Sequence, residues 1–163
     1  MKEQFHGKYQ IVSATSAVAV DLNEDGRAST DLLAEVPALA DSDLEVRVGR
    51  SILKESFVGF LDQAWQHQHL VRNYQSGPDS VMVLGFVNYL THRYFNFDAG
   101  RTQLVVEQLP EMPAEKGQYP APASIMVVSP EQLRVVTNRL LFICKAWTPV
   151  RITVLYKRYT KIT

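Results

Sequence analysis

The chain has 163 residues, the length of one ordinary domain, and its 46% hydrophobic content is sufficient for one core. Its 17 basic and 17 acidic residues cancel, so net charge favours neither a nucleic acid nor an anionic membrane as partner. We therefore expect a single domain over 1–163 that does not bind nucleic acid.

The first third of the chain predicts a strand followed by a short helix. Residues 8–15 are rich in β-branched and aromatic side chains, which is typical of a strand. Residues 31–36 have an apolar helical face, Ser29 or Thr30 can cap them, and Pro37 ends the run.

The middle of the chain predicts further strands. Residues 44–48 alternate between apolar and polar, and 57–71 is interpreted as a strand although its first half also fits a helical stripe. Gly59 is expected to form a bulge or bend there. A turn-rich segment at 75–80 predicts a loop, and 94–107 predicts a hairpin.

Four prolines in 109–122 predict a surface loop. The rest of the chain predicts antiparallel strands at 125–128, 133–137, 140–146 and 150–159. Cys144, the single cysteine, lies in an apolar run and is expected to be buried. At least seven short strands joined by turns indicate a mostly β fold, an antiparallel barrel or strongly curved sheet with one or two short helices.

The last predicted strand has a defined inward face. Alternation places Ile152, Val154 and Tyr156 on one side, with Arg158 continuing it. Because first and last strands are neighbours in a closed barrel, the Arg158 guanidinium is expected to lie against Tyr9.

An acidic segment predicts a calcium site. Asp21, Asn23, Asp25 and the Arg27 carbonyl have the spacing of a calcium-binding loop, and Asp31 could replace the missing glutamate of its last position. The alternative is an acidic turn that leads into the helix without a metal.

A ligand site is predicted inside the barrel. Trp65 and His67 share one face of a strand, and Phe95 belongs to the aromatic cluster of the following strand. His67 and His69 could instead ligate zinc, although no third ligand is evident nearby. The sequence contains no nucleophile elbow, phosphate-binding glycine loop or zinc-protease motif, so we expect a protein that is not an enzyme.

Together, Gly7-Lys8-Tyr9, the short helix in the first long connection and a final strand bearing Arg158 resemble the lipocalin-like (calycin) barrel. The opening 7–14, the segment 21–33 and the closing 156–159 are similar to small uncharacterised lipocalin-like envelope proteins of Bacteroidetes. The resemblance implies a barrel and an exported location, without implying an activity.

Export would require a signal that has been removed, because residues 1–6 contain no apolar signal region. As written, the chain is expected to be soluble, and no stretch approaches the roughly 20 apolar residues of a membrane helix. We then expect a periplasmic or cell-envelope protein.

Two functions fit these observations. The first is a barrel that binds a small apolar or amphipathic molecule, lined by Trp65, His67 and Phe95. The second is a non-catalytic envelope interaction module with a filled barrel and a calcium-stabilised loop.

Overall fold

The computed structural model describes residues 5–50, 57–72, 82–100, 102–107 and 120–160. Within these ranges the α-helix α1 spans Leu32–Glu35, and a 3₁₀ helix spans Pro37–Asp41. The nine strands are β1 Gly7–Val20, β2 Ser29–Asp31, β3 Asp43–Arg50, β4 Phe57–Arg72, β5 Met82–Phe97, β6 Leu104–Val106, β7 Ser124–Ser129, β8 Gln132–Ile143 and β9 Ala146–Thr160.

Two predicted loops cannot be compared in full with this structure, because 75–80 and most of 109–122 lie outside the described ranges. No helix within those ranges is long and apolar enough to cross a bilayer.

The strands form a nearly closed antiparallel barrel. Their order is β6-β5-β4-β3-β1-β9-β8-β7, with the short β2 added to β1. The two ends of this order meet at a bridge between Gln103 and Met126, where the Val127 amide donates to the Thr102 carbonyl at 2.8 Å. The predicted fold class is therefore confirmed: mostly β, with one short helix and one 3₁₀ turn.

The first and last strands of the chain, β1 and β9, pair in the middle of this order. Tyr9 lies directly opposite Arg158 in the β1–β9 register. The Arg158 guanidinium hydrogen-bonds the Tyr9 side chain, the Glu131 carboxylate and the His6 carbonyl, the last at 3.3 Å. Burial raises the pKa of the Tyr9 phenol to about 12. The predicted proximity of Arg158 and Tyr9 is confirmed, and it takes the form of a hydrogen bond to the phenol.

The short helix is capped by a different residue from the one predicted. Asp31 Oδ1 accepts a hydrogen bond from the Leu33 amide at 3.0 Å, so Asp31 is the N-cap, while Ser29 and Thr30 belong to β2. An Asp side chain caps a helix as well as Ser or Thr does, and the sequence alone did not fix which residue precedes the first turn. The 3₁₀ helix directly precedes β3 in the chain and contacts β1 and β4, the two strands on either side of β3.

The sequence prediction was wrong about Cys144. It lies exposed in a two-residue turn with Lys145 between β8 and β9, and the φ values of the two residues are 51° and 65°. Positive φ at both positions suits the tight hairpin turn whose twist matches the strands. Because Gly and Asn normally mark such turns, the apolar run gave no sign that it ended at Ile143.

Gly59 pairs in continuous register with Val48 and Phe95, so the predicted bulge is absent at this position. Its function is spatial: a Cβ at Gly59 would lie 2.4 Å from Phe95 Cζ. The Phe95 ring packs on Phe97 at 5.4 Å between centroids, and Phe97 packs on Phe5 at 5.3 Å. We refer to Phe5, Phe95 and Phe97 as the aromatic end of the barrel.

Replacing Gly59 with alanine should destabilise the protein, because the added methyl group would overlap the Phe95 ring. We expect the free energy of unfolding to fall by about 1–3 kcal/mol, which is typical of overpacking. The matched control is Gly85→Ala in β5, where the new Cβ would meet only the His69 carbonyl at 3.8 Å. Chemical denaturation measures both, and equal effects would contradict the packing argument.

Candidate ligand site in the barrel interior

The inward face of β4 runs from buried to exposed. Leu61, Gln63 and Trp65 are buried, His67 is half-buried and His69 is exposed. These residues alternate along one strand and so point to the same side. Side-chain exposure along β4 therefore increases toward the end where β4 and β8 finish, which we call the hairpin end. There Gln68 of β4 donates to the Phe142 carbonyl of β8 at 3.3 Å and accepts from the Phe142 amide at 2.6 Å, so the two strands are in contact.

Trp65 is paired with a buried arginine from the opposite side of the barrel. Arg139 projects inward from β8, and its guanidinium carbon lies 4.3 Å from the centroid of the Trp65 ring. Trp65 is 3% exposed and Arg139 is 6% exposed. This is a cation–π contact in a desolvated setting, where such contacts are strongest.

Further polar groups lie deeper in the interior. Gln63 Nε2 donates to the Tyr156 hydroxyl at 3.0 Å, and Thr137 is also buried. Burial raises the pKa of the Tyr156 phenol to about 12, so this group is neutral at physiological pH. The interior at this level therefore offers hydrogen-bonding groups as well as apolar walls.

Of the three predicted ligand-lining residues, the structure brings two together. Trp65 and His67 adjoin on one face, and Tyr89 joins them because it lies opposite Trp65 and its ring meets the His67 ring at 5.9 Å. Phe95 instead lies opposite Gly59, six positions along β4 from Trp65. At the usual rise per residue this separation is about 20 Å. Alternation predicted which face of the sheet Phe95 occupies but not its position along the barrel axis.

The predicted calcium loop is held by its own side chains. Asp21 accepts hydrogen bonds from the Asp25 and Gly26 amides at 3.2 and 2.9 Å, and Asp25 accepts one from the Arg27 amide at 2.8 Å. Asn23 Oδ1 also accepts from the Asp25 amide, at 3.1 Å.

The predicted fifth ligand, Asp31, is engaged at the start of α1. Across the described ranges, no three His, Cys, Asp or Glu residues are grouped to hold a metal ion. Calcium binding at Asp21, Asn23, Asp25 and the Arg27 carbonyl stays a prediction.

That prediction is tested by thermal unfolding in calcium and in chelator. An ion bound by Asp21, Asn23 and Asp25 stabilises the folded state, and calcium at about 100 times its dissociation constant would add about 2.7 kcal/mol. Asp25→Ala should remove the shift, and Asp41→Ala, at an exposed acid outside the loop, should leave it unchanged. Identical curves in calcium and chelator would identify the loop as an acidic turn without a metal.

A second feature, on the outer surface, was missed by the sequence analysis. A cleft of about 380 Å³ is lined by His6, Arg47, Val48, Gly49, Phe60 and His92. Behind it, the buried Asp62 bonds the Arg47 guanidinium and lies 2.5 Å from His92 Nδ1. Asp62 and His92 are cross-strand partners, so only the β4–β5 register could have brought them together. Asp62 thereby ties β3, β4 and β5 on the outside of the wall.

Comparison of this chain with protein-family models, with curated proteins and with solved structures finds no match.

Proposed function

We propose that this protein binds a small apolar or amphipathic molecule inside the hairpin end of its barrel. The observation that supports this most directly is the position of Trp65, an almost fully buried ring one step inside the half-buried His67 and the exposed His69. The interior of an eight-stranded barrel is either filled by side chains or holds one small ligand. A broad apolar ring just inside an opening suits the apolar part of such a molecule.

The mixed polarity of the interior favours an amphipathic ligand over a purely apolar one. Gln63, Thr137 and Tyr156 are buried polar residues close to the Trp65 level. Ligand pockets typically combine apolar walls with a few placed polar groups that orient the ligand.

The same proposal places the protein among lipocalin-like binding proteins that are exported and not catalytic. The antiparallel meander with adjacent first and last strands, together with the Arg158–Tyr9 contact near the end of the final strand, supports the lipocalin-like fold in this proposal.

The alternative function, an envelope interaction module, is favoured by a different observation. Four apolar side chains of β5 are exposed: Phe86, Val87, Tyr89 and Leu90. Because neighbours in a strand point to opposite sides, both faces of this hairpin present apolar surface, which is typical of a protein interface. The loop after β1 leaves the barrel at the same end, because β1 runs parallel to β4.

Ligand binding is tested by tryptophan fluorescence in a Trp147→Phe background, since Trp147 is the second tryptophan and is exposed. Titration with a panel of alkanoates, alkanols and planar aromatic compounds should shift the emission of Trp65, because a ligand packed beside the ring changes the polarity of its surroundings. The matched control is Trp65→Phe with Trp147 retained, which should show no ligand response.

A flat titration across the panel would overturn ligand binding. If the protein then also associated with itself in sedimentation, and Leu90→Asp abolished that association, the interaction module would be the supported function.

A further inference from the structure

Arg139 is the most deeply buried cation in the interior at the hairpin end. It lies on the inward face of β8 between the buried Thr137 and Leu141, and only 6% of its surface is exposed. Arginine is rarely buried to this degree unless it is paired with an acid.

Other arginines of the described ranges form ion pairs with acids. Arg47 bonds the Asp62 carboxylate and Arg158 bonds the Glu131 carboxylate. Arg139 has only the Trp65 ring, and no described residue accepts a hydrogen bond from its guanidinium or forms an ion pair with it. A guanidinium carries five N–H donors, and a ring face satisfies none of them as an oxygen acceptor would.

The surroundings of Arg139 lower its pKa but leave it positively charged. Burial lowers the pKa of Arg139 to about 10; the nearby Tyr156 raises it and the positive charge of Arg93 lowers it. A pKa of about 10 still leaves Arg139 protonated at neutral pH. Arg139 therefore keeps its positive charge inside the barrel, where an opposite charge would stabilise it.

We propose that Arg139 receives the anionic head group of the bound amphipath, a carboxylate or a group of the same shape and charge. This inference rests on the proposed function and specifies its ligand class. A planar carboxylate can accept two parallel hydrogen bonds from a guanidinium. The Trp65 ring, already stacked on the guanidinium, would pack against the first carbons of the tail.

The filled aromatic end determines which way the tail points. Phe5, Phe95 and Phe97 occupy that end, whereas the wall beyond Trp65 becomes progressively exposed through His67. The head group therefore lies inward at Arg139 and the tail extends toward the hairpin end. This orientation places the charge beside the buried Arg139, where the reduced contact with solvent strengthens their interaction.

The test compares dodecanoate, its uncharged analogue dodecanol, and acetate or inorganic phosphate, all read by Trp65 emission in the Trp147→Phe background. Dodecanoate should bind about tenfold to about a hundredfold more tightly than dodecanol, as expected for one charge-assisted contact. Arg139→Gln should remove that difference by weakening dodecanoate alone. Arg134→Gln, an exposed arginine on the same strand, is the matched control and should leave the difference intact.

A second variant separates ligand recognition from structure. Arg139→Met replaces an unpaired buried charge with an apolar side chain, so the ligand-free protein should unfold at the same or a higher temperature. A lower unfolding temperature, together with an unchanged preference for dodecanoate in Arg139→Gln, would show that Arg139 is a structural partner of Trp65 and overturn the inference.

The other outcomes are distinct. Equal binding of dodecanoate and dodecanol would overturn the role of Arg139 while leaving ligand binding in place. Binding of acetate or phosphate as tightly as dodecanoate would identify a free-anion site and overturn the amphipathic ligand. No response to any compound would overturn the proposed function itself.

Discussion

The pairing of β1 with β9 is the contact on which the rest of the structure depends. It joins the N-terminal strands β3 to β6 and the C-terminal strands β7 and β8 into one continuous sheet, whose two ends then meet between β6 and β7. Tyr9 lies opposite Arg158 in this pairing, and Arg158 also binds Glu131 in the β7–β8 turn and the His6 carbonyl. Two ends of the chain and one turn are thus joined at a single buried guanidinium.

The two ends of the interior follow different packing rules. At the aromatic end, Phe95 packs so closely that only a glycine fits opposite it at position 59. Near the hairpin end, the Gln63–Tyr156 hydrogen bond and Arg139 take positions that aliphatic side chains could fill. Natural proteins concentrate such departures from efficient packing at functional sites, at the expense of stability.

Local patterns in the sequence predicted local structure well. The inward face of β9 follows alternation, with Ile152, Val154 and Tyr156 all buried. The turn at residue 98 was also predictable, because the Asp98 carboxylate accepts the Thr102 and Gln103 amides, as the turn-forming composition implies.

What the sequence could not predict depends on register between distant segments. The contact of Asp62 with His92, and the stacking of Arg139 on Trp65, both join residues that no local pattern relates. Phe95 shows the same limit, since its face was predictable and its level in the barrel was not. Alternation has a period of two residues and says which side of a sheet a residue faces, whereas the level is set by pairing across strands.

The seam between β6 and β7 gives the wall a preferred line of opening. In the described part of the chain the two strands are joined by the Gln103–Met126 bridge, whereas β4 and β5 pair continuously from Gly59 to Arg72. Local opening in proteins occurs where the fewest hydrogen bonds must break. We therefore expect the barrel to widen by separation of β6 from β7, while the continuously paired strands β4 and β5 stay together. Its internal diameter can then change without any change in strand order.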